Sequence, residues 1–174
     1  MFKYLIIFFL YLNISYAHPH TFIEVYPTIL VEDKKVKFIK FNWIMDEMSS
    51  SMFIMEFDQN GDGNIDEIEN NYVYNNYFLT LKNFNFYTNI NIKGENIPFP
   101  NIKEFKSTIQ DNRINFIFSV VPNIDINNTS IEFFDNDYFV AMILKEEFVI
   151  SNAQSVKVKD IDGDFYFGYR LEIN

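Results

Sequence analysis

Residues 21–45 read TFIEVYPTILVEDKKVKFIKFNWIM, and this stretch decides the fold. Apolar and polar residues alternate from Thr21 to Glu32 and again from Lys35 to Met45. That two-residue period is the mark of a half-buried strand. Asp33–Lys34 between them has the length of a tight hairpin turn. After Met45 the period changes. Met45, Met48, Met52 and Met55 recur at three- and four-residue spacing, so 46–57 (DEMSSSMFIMEF) reads as a helix with Asp46 as its N-cap. The methionine stripe is expected to face the core, with a soft-metal role as the alternative. Ile65, Ile68, Tyr72 and Leu79 predict a second helix over 66–81.

Beyond Phe84 the strand pattern returns. Segments 84–93, 104–110, 113–121, 129–134, 138–145 and 154–173 all read as strands. Turns are expected at Gly94–Glu95–Asn96, at Asp111–Asn112 and at Asp162–Gly163, the last as a two-residue hairpin. The expectation is a mainly β chain: an antiparallel β-sandwich-like domain spanning 18–174, with an EF-hand-like helix-loop-helix inserted at about 46–80.

Composition narrows the function. The chain has 174 residues, 48% of them hydrophobic and 19% aromatic, which suits one packed core and excludes a disordered chain. A net charge of −10 argues against nucleic acid and anionic membranes as partners, since both require basic patches. With no cysteine, disulfides and thiolate metal sites are excluded. With two histidines as well, the usual nucleophile–base sets are hard to assemble, so an enzyme is not expected.

The first 17 residues, MFKYLIIFFLYLNISYA, carry Lys3, an apolar run and the Ser15/Ala17 small-residue pair. This is the pattern of a secretory signal peptide cleaved after Ala17, with an uncleaved anchor as the alternative. The run is too short to span a bilayer, and no later run is long enough, so the mature chain is expected to be periplasmic without a transmembrane span.

Residues 58–69, DQNGDGNIDEIE, fit the calcium-loop pattern D-x-[DN]-x-[DN]-G-x5-E in full. Calcium takes six to eight oxygens. Asp58, Asn60 and Asp62 would offer side-chain oxygens, Asn64 its backbone carbonyl, Asp66 a direct or water-mediated contact, and Glu69 a bidentate closure. Gly63 permits the sharp turn. DIDGD at 160–164 has similar acidic spacing but has no glycine at the sixth position and no glutamate at the twelfth, and reads as a hairpin turn. A lone loop reads as a structural staple.

Both histidines lie at the predicted cleavage point. A chain starting at His18 would offer an imidazole and a free amine, and His20 lies on the same strand face. Such a nitrogen-rich set suits Ni2+, Co2+, Cu2+ or Zn2+. Pro19 has no N–H, which rules out the square-planar site built from deprotonated amides. Histidines that merely begin a strand are the plain alternative. DINNT at 125–129 also fits an acidic bacterial N-glycosylation acceptor centred on Asn127, with a polar loop as the simpler reading.

Taken together, the start HPHTFIEV, the Trp43/Asp46/Glu47 segment, the acidic loop and FDNDYFVA, with Asp135, Tyr138 and Phe139, occur in that order. The chain resembles a bacterial periplasmic family of unknown function. Its members are commonly described as the periplasmic component of an uncharacterised ABC-type transport system. Asn136 stands where a proline is usual, and the cysteine many members carry near the C-terminus is missing. Members often sit beside nickel/cobalt-type or other metal-export genes. The resemblance implies a metal-handling accessory role, with an inner-membrane metal transporter as partner. The competing reading is a calcium-stapled interaction protein with no transition-metal role.

Overall fold

The computed structural model describes residues 20–173 apart from 138, 164 and 165. Strands β1 (Thr21–Glu32) and β2 (Lys35–Met45) form the expected hairpin. Asp33 and Lys34 turn it with φ of 49° and 58°, the double positive φ of a type I′ turn. Ile29 pairs with Ile39 and Val31 with Val36, so Lys37 is an extra residue, a β-bulge. The bulge explains why the buried set on β2 runs Val36, then Ile39, Phe41, Trp43 and Met45, with one three-residue step.

Helices α1 (Glu47–Phe57) and α2 (Glu67–Asn76) follow, then a 3-10 segment, Phe78–Tyr87. The remaining strands are β3 (Thr88–Ile92), β4 (Glu95–Ile97), β5 (Ile102–Gln110), β6 (Arg113–Val120), β7 (Ile124–Asp125), β8 (Thr129–Phe134), β9 (Val140–Ile143), β10 (Ile150–Ser151), β11 (Val156–Asp162) and β12 (Phe167–Ile173). One sheet runs β10-β1-β2-β6-β5, with β7 joined to β2 and β9 to β1. The other runs β11-β12-β8-β3-β4. Phe41 of the first sheet meets Phe133 of the second edge-on at 6.1 Å, inside a core that both sheets supply. The fold is mainly β and sandwich-like. Most pairings are antiparallel, but β1 pairs in parallel with both β9 and β10.

Several expectations change. The stripe of Met48, Met52 and Met55 faces solvent, at 64, 57 and 79% exposure, and Ile68 is exposed too. Only Met45, the last residue of β2, joins the core. Spacing gives the face of a helix but not its direction. Here Ser49 and Ser50 turn inward because their size lets α1 lie close to β6. The Ser50 hydroxyl also accepts the Ile114 N–H at 3.0 Å. The second helix stops at Asn76, short of 81. Asn75 and Asn76 send their side-chain amides to the carbonyls of Asn71 and Tyr72, competing with the helix ladder.

Residues 84–87 are not strand. Asn85, Phe86 and Tyr87 take positive φ near 50°, and the Asn85 side chain ties this corner to Thr88 and Asn89. The Asp111–Asn112 hairpin turn forms as expected, between Gln110 and Arg113. The turn expected at Gly94–Glu95–Asn96 shifts to Lys93–Gly94, since Ile92 pairs with Glu95. Asp162 pairs with Phe167, so the last hairpin has a four-residue connection, closed by the Gly163 N–H donating to Tyr166. No helix among the described residues is long and apolar enough to cross a membrane.

Candidate metal centre

The acidic loop lies between two helix ends, and each end is built from loop residues. Asp58 is the C-cap of α1, its N–H donating to Ile54 at 3.0 Å. Asp66 is the N-cap of α2 and forms a reciprocal capping box with Glu69. The Glu69 N–H donates to Asp66 Oδ1 at 2.9 Å, and Glu69 Oε2 accepts the Asp66 N–H at 2.9 Å. Across the loop, Glu69 Oε1 accepts the Asn60 N–H at 3.1 Å. Glu69 is 3% exposed, which is unusual for a glutamate and fixes it as the floor of the loop.

The other motif side chains also take backbone N–H groups. Asp58 accepts from Asp62 and Gly63, Asn60 from Asp62, and Asp62 from Asn64, at 2.8–3.1 Å. Gly61 and Gly63 have φ of 72° and 82°, where a side chain would be strained. A phenol pair braces the entry: Tyr72 and Tyr77 both donate to Glu56 Oε1, at 2.6 and 2.9 Å. These bonds, Tyr72 first, hold the Glu56 carboxyl below its usual range.

The structure thus gathers Asp58, Asn60, Asp62, Asn64, Asp66 and Glu69 into one ordered loop. Among the described residues no three His, Asp or Glu side chains draw together into a group that could hold a metal ion. The fit with calcium lies in the donor set, which is all oxygen and rich in carboxylate. Each oxygen that accepts an N–H keeps a second lone pair.

A second constellation forms at the start of β1. The His20 and Thr21 N–H groups donate to the Phe139 carbonyl, at 2.8 and 3.3 Å. The exposed His20 ring lies 6.1 Å from the Phe139 ring, nearly parallel to it. Phe139 is placed by Asp135, a carboxylate only 4% exposed, which accepts the N–H groups of Asp137, Phe139 and Val140, each at 3.0 Å. From the other side, Asp46 Oδ2 accepts the Phe22 N–H at 2.8 Å while Oδ1 caps α1 through Ser49 at 2.9 Å. Tyr87 is buried near Asp135. Its ring meets Trp43 at 6.5 Å, and burial, reinforced by Asp135 and Asp137, pushes its phenol up to about 12. His18, Pro19, the Ala17 junction and Tyr138 lie outside the described residues. The anchoring roles of Asp46 and Asp135 were not legible beforehand. Asp46 is the expected N-cap of α1, but its bond to Phe22 carried no signal, and Asp135 had only its place in a motif segment.

A family model described as "Protein of unknown function (DUF1007)" matches residues 4–160. The chain belongs to the DUF1007 family. An uncharacterised protein from Haemophilus influenzae is 28% identical over 135 residues, which cover 72% of this chain and 62% of that protein. The chain thus spans about three-fifths of that relative's length. The "Uncharacterized 15.5 kDa protein in trpE 3'region" of Spirochaeta aurantia is 26% identical over 110 residues, covering 62% of this chain and 76% of that one. No solved structure matches.

Asp46 gives a direct test of the clamp. Burial alone would raise its carboxyl, but the N–H groups of Phe22 and Ser49 outweigh it and hold the group below its usual range. A depressed folded-state value adds stability above the unfolded value of about 3.9, and loses it as pH falls through the folded value. Asp46→Ala is therefore expected to cost about 1 kcal/mol at neutral pH. In urea unfolding the gap to wild type should narrow below about pH 4. A gap that stays constant down to pH 2 would count against it.

Proposed function

We infer that this member of the DUF1007 family is a periplasmic calcium-binding protein that acts as an accessory to transition-metal transport. The observation that carries the calcium reading is the complete loop motif seated between a helix C-cap at Asp58 and a capping box at Asp66–Glu69. Calcium would be held by Asp58, Asn60, Asp62, the Asn64 carbonyl, Asp66 and Glu69, and would cross-link the ends of α1 and α2. Because α1 lies against β6 and α2 against β5, such a link staples the helical insertion to the sheet.

The transition-metal part rests on the anchored start of β1. A chain beginning at His18 would present two imidazoles and an amine two residues from a clamped strand. The Phe139 and Asp46 contacts fix residues 20–22, so His20 at least would lose less entropy on binding an ion. Candidate ions are Ni2+, Co2+, Cu2+ and Zn2+, and the partner is an inner-membrane metal transporter.

Calorimetric titration of the purified protein separates the parts. Ca2+ should bind wild type, and Glu69→Gln should bind at least tenfold more weakly, because one closing oxygen becomes an amide nitrogen. Equal heats for the two proteins would remove the calcium reading. Ni2+, Cu2+ and Zn2+ should bind the processed protein more tightly than a His18→Ala, His20→Ala variant, and equal affinity would remove the transition-metal reading. N-terminal sequencing of the exported protein establishes whether His18 carries the free amine.

A further inference from the structure

Helix α1 is built inside out. Toward the sheet it presents Ser49, Ser50 and Phe57, all fully buried. Toward solvent it presents Met48, Met52 and Met55. These three lie four and then three residues apart, so they fall within an arc of about 60° over two turns. Met45 and Met142, the other two methionines among the described residues, are 5% and 1% exposed. The accessible sulfur in the described part of the chain is therefore confined to this stripe, and the whole sequence has no cysteine.

The geometry points to a thioether site for a soft monovalent d10 ion, Cu(I) or Ag(I), formed by Met48, Met52 and Met55. Neighbouring side chains at these spacings start about 5–6 Å apart at Cβ. Methionine has three rotatable bonds, so adjacent sulfurs can close on one ion without moving the helix. Soft thioethers select Cu(I) over hard cations. They bring no charge of their own, and the surroundings supply it: α1 carries Glu47 and Glu56 and no lysine or arginine, in a chain of net charge −10. The all-oxygen loop begins where this helix ends, at Asp58. One helix-loop unit thus presents two donor classes that do not compete for the same ion. The thioether site stands apart from the calcium and histidine readings and requires neither.

The test is a titration of the full chain with Ag+ in chloride-free, calcium-free buffer, followed by methionine methyl NMR. The Met48, Met52 and Met55 methyls should shift while those of Met45 and Met142 stay in place, and Zn2+ should move none of the five. A Met48→Leu, Met52→Leu, Met55→Leu variant keeps helix propensity and apolar area but removes the sulfur. It should bind Ag+ at least tenfold more weakly. The single variant Met52→Leu, at an exposed position, gives the same test at an intermediate loss should the triple variant fold poorly. Undiminished Ag+ binding by the leucine variants, or no α1 methyl shift, overturns the site. If a protein ligand that wild type binds is also held by the leucine variants while Ag+ is bound equally by all, the stripe is an apolar docking face instead.

Discussion

Phe78→Ala is expected to lower the unfolding free energy by about 3–5 kcal/mol, the range for truncating a fully buried phenylalanine. Phe78 is 0% exposed and stands where the 3-10 segment enters the core. Its ring lies 4.3 Å from Phe105, 4.9 Å from Phe118, 5.3 Å from Phe86 and 5.6 Å from Phe116, centroid to centroid. Removing it opens a cavity among rigid rings that have few rotamers with which to refill it. The helical insertion would then lose one of its attachments to β5 and β6. Equilibrium unfolding in urea measures the loss. A change below 1 kcal/mol would mean that the corner repacks and that this ring cluster does not hold the insertion.

The second large effect is expected at Asp135. Asp135→Ala strips the acceptor from three N–H groups around a carboxylate that is itself nearly buried. A hydrogen bond to a charged group contributes about 1.5–3 kcal/mol, and water reaching these part-buried donors offsets much of that, so the expected net loss is about 3 kcal/mol. The effect should also have a direction. Phe139 would no longer be held under the start of β1, so amide exchange at His20 and Thr21 should accelerate more than at Val25. Uniform acceleration along β1 would instead indicate global destabilisation and argue against a local clamp. Asp135→Asn, which keeps one acceptor oxygen, should fall between the two.

The sequence was most legible where one physical signal acts alone. The 21–45 hairpin combines clean alternation with a two-residue gap, and it forms with the expected ends. The Asp111–Asn112 turn is equally local. Reading failed where a tertiary partner decides. The methionine stripe shows the right period and the wrong direction, because the serines opposite make hydrogen bonds and close contacts that the pattern does not weigh. The second helix ends early because asparagine amides compete for its carbonyls. The last hairpin keeps Asp162 in the strand, since its register follows β12 pairing with β8 rather than the turn residues. For the candidate metal loop, spacing named the candidate ligands, and the structure places them in one loop between two helix ends. The capping box that joins Asp66 to Glu69 was implicit in the same residues. The clamp around His20 was not readable, because it needs Asp46 to reach the Phe22 N–H and the Phe139 carbonyl to meet His20 and Thr21, contacts between segments far apart in the chain.

The parallel contacts of β1 bear on how the chain folds. Its first four residues pair with Val140–Ile143, and Thr28–Ile29 pair with Ile150–Ser151. The opening strand is thus completed by segments that emerge only after most of the chain has been made. Such non-local pairing must meet its loop-closure entropy before any contact repays it, which places folding on the slow side for a domain of this size. Until those late segments arrive, one edge of the hairpin stays unpaired and open to association with other chains. The outer edge of β1, next to His20, is therefore among the last parts of the molecule to become fixed.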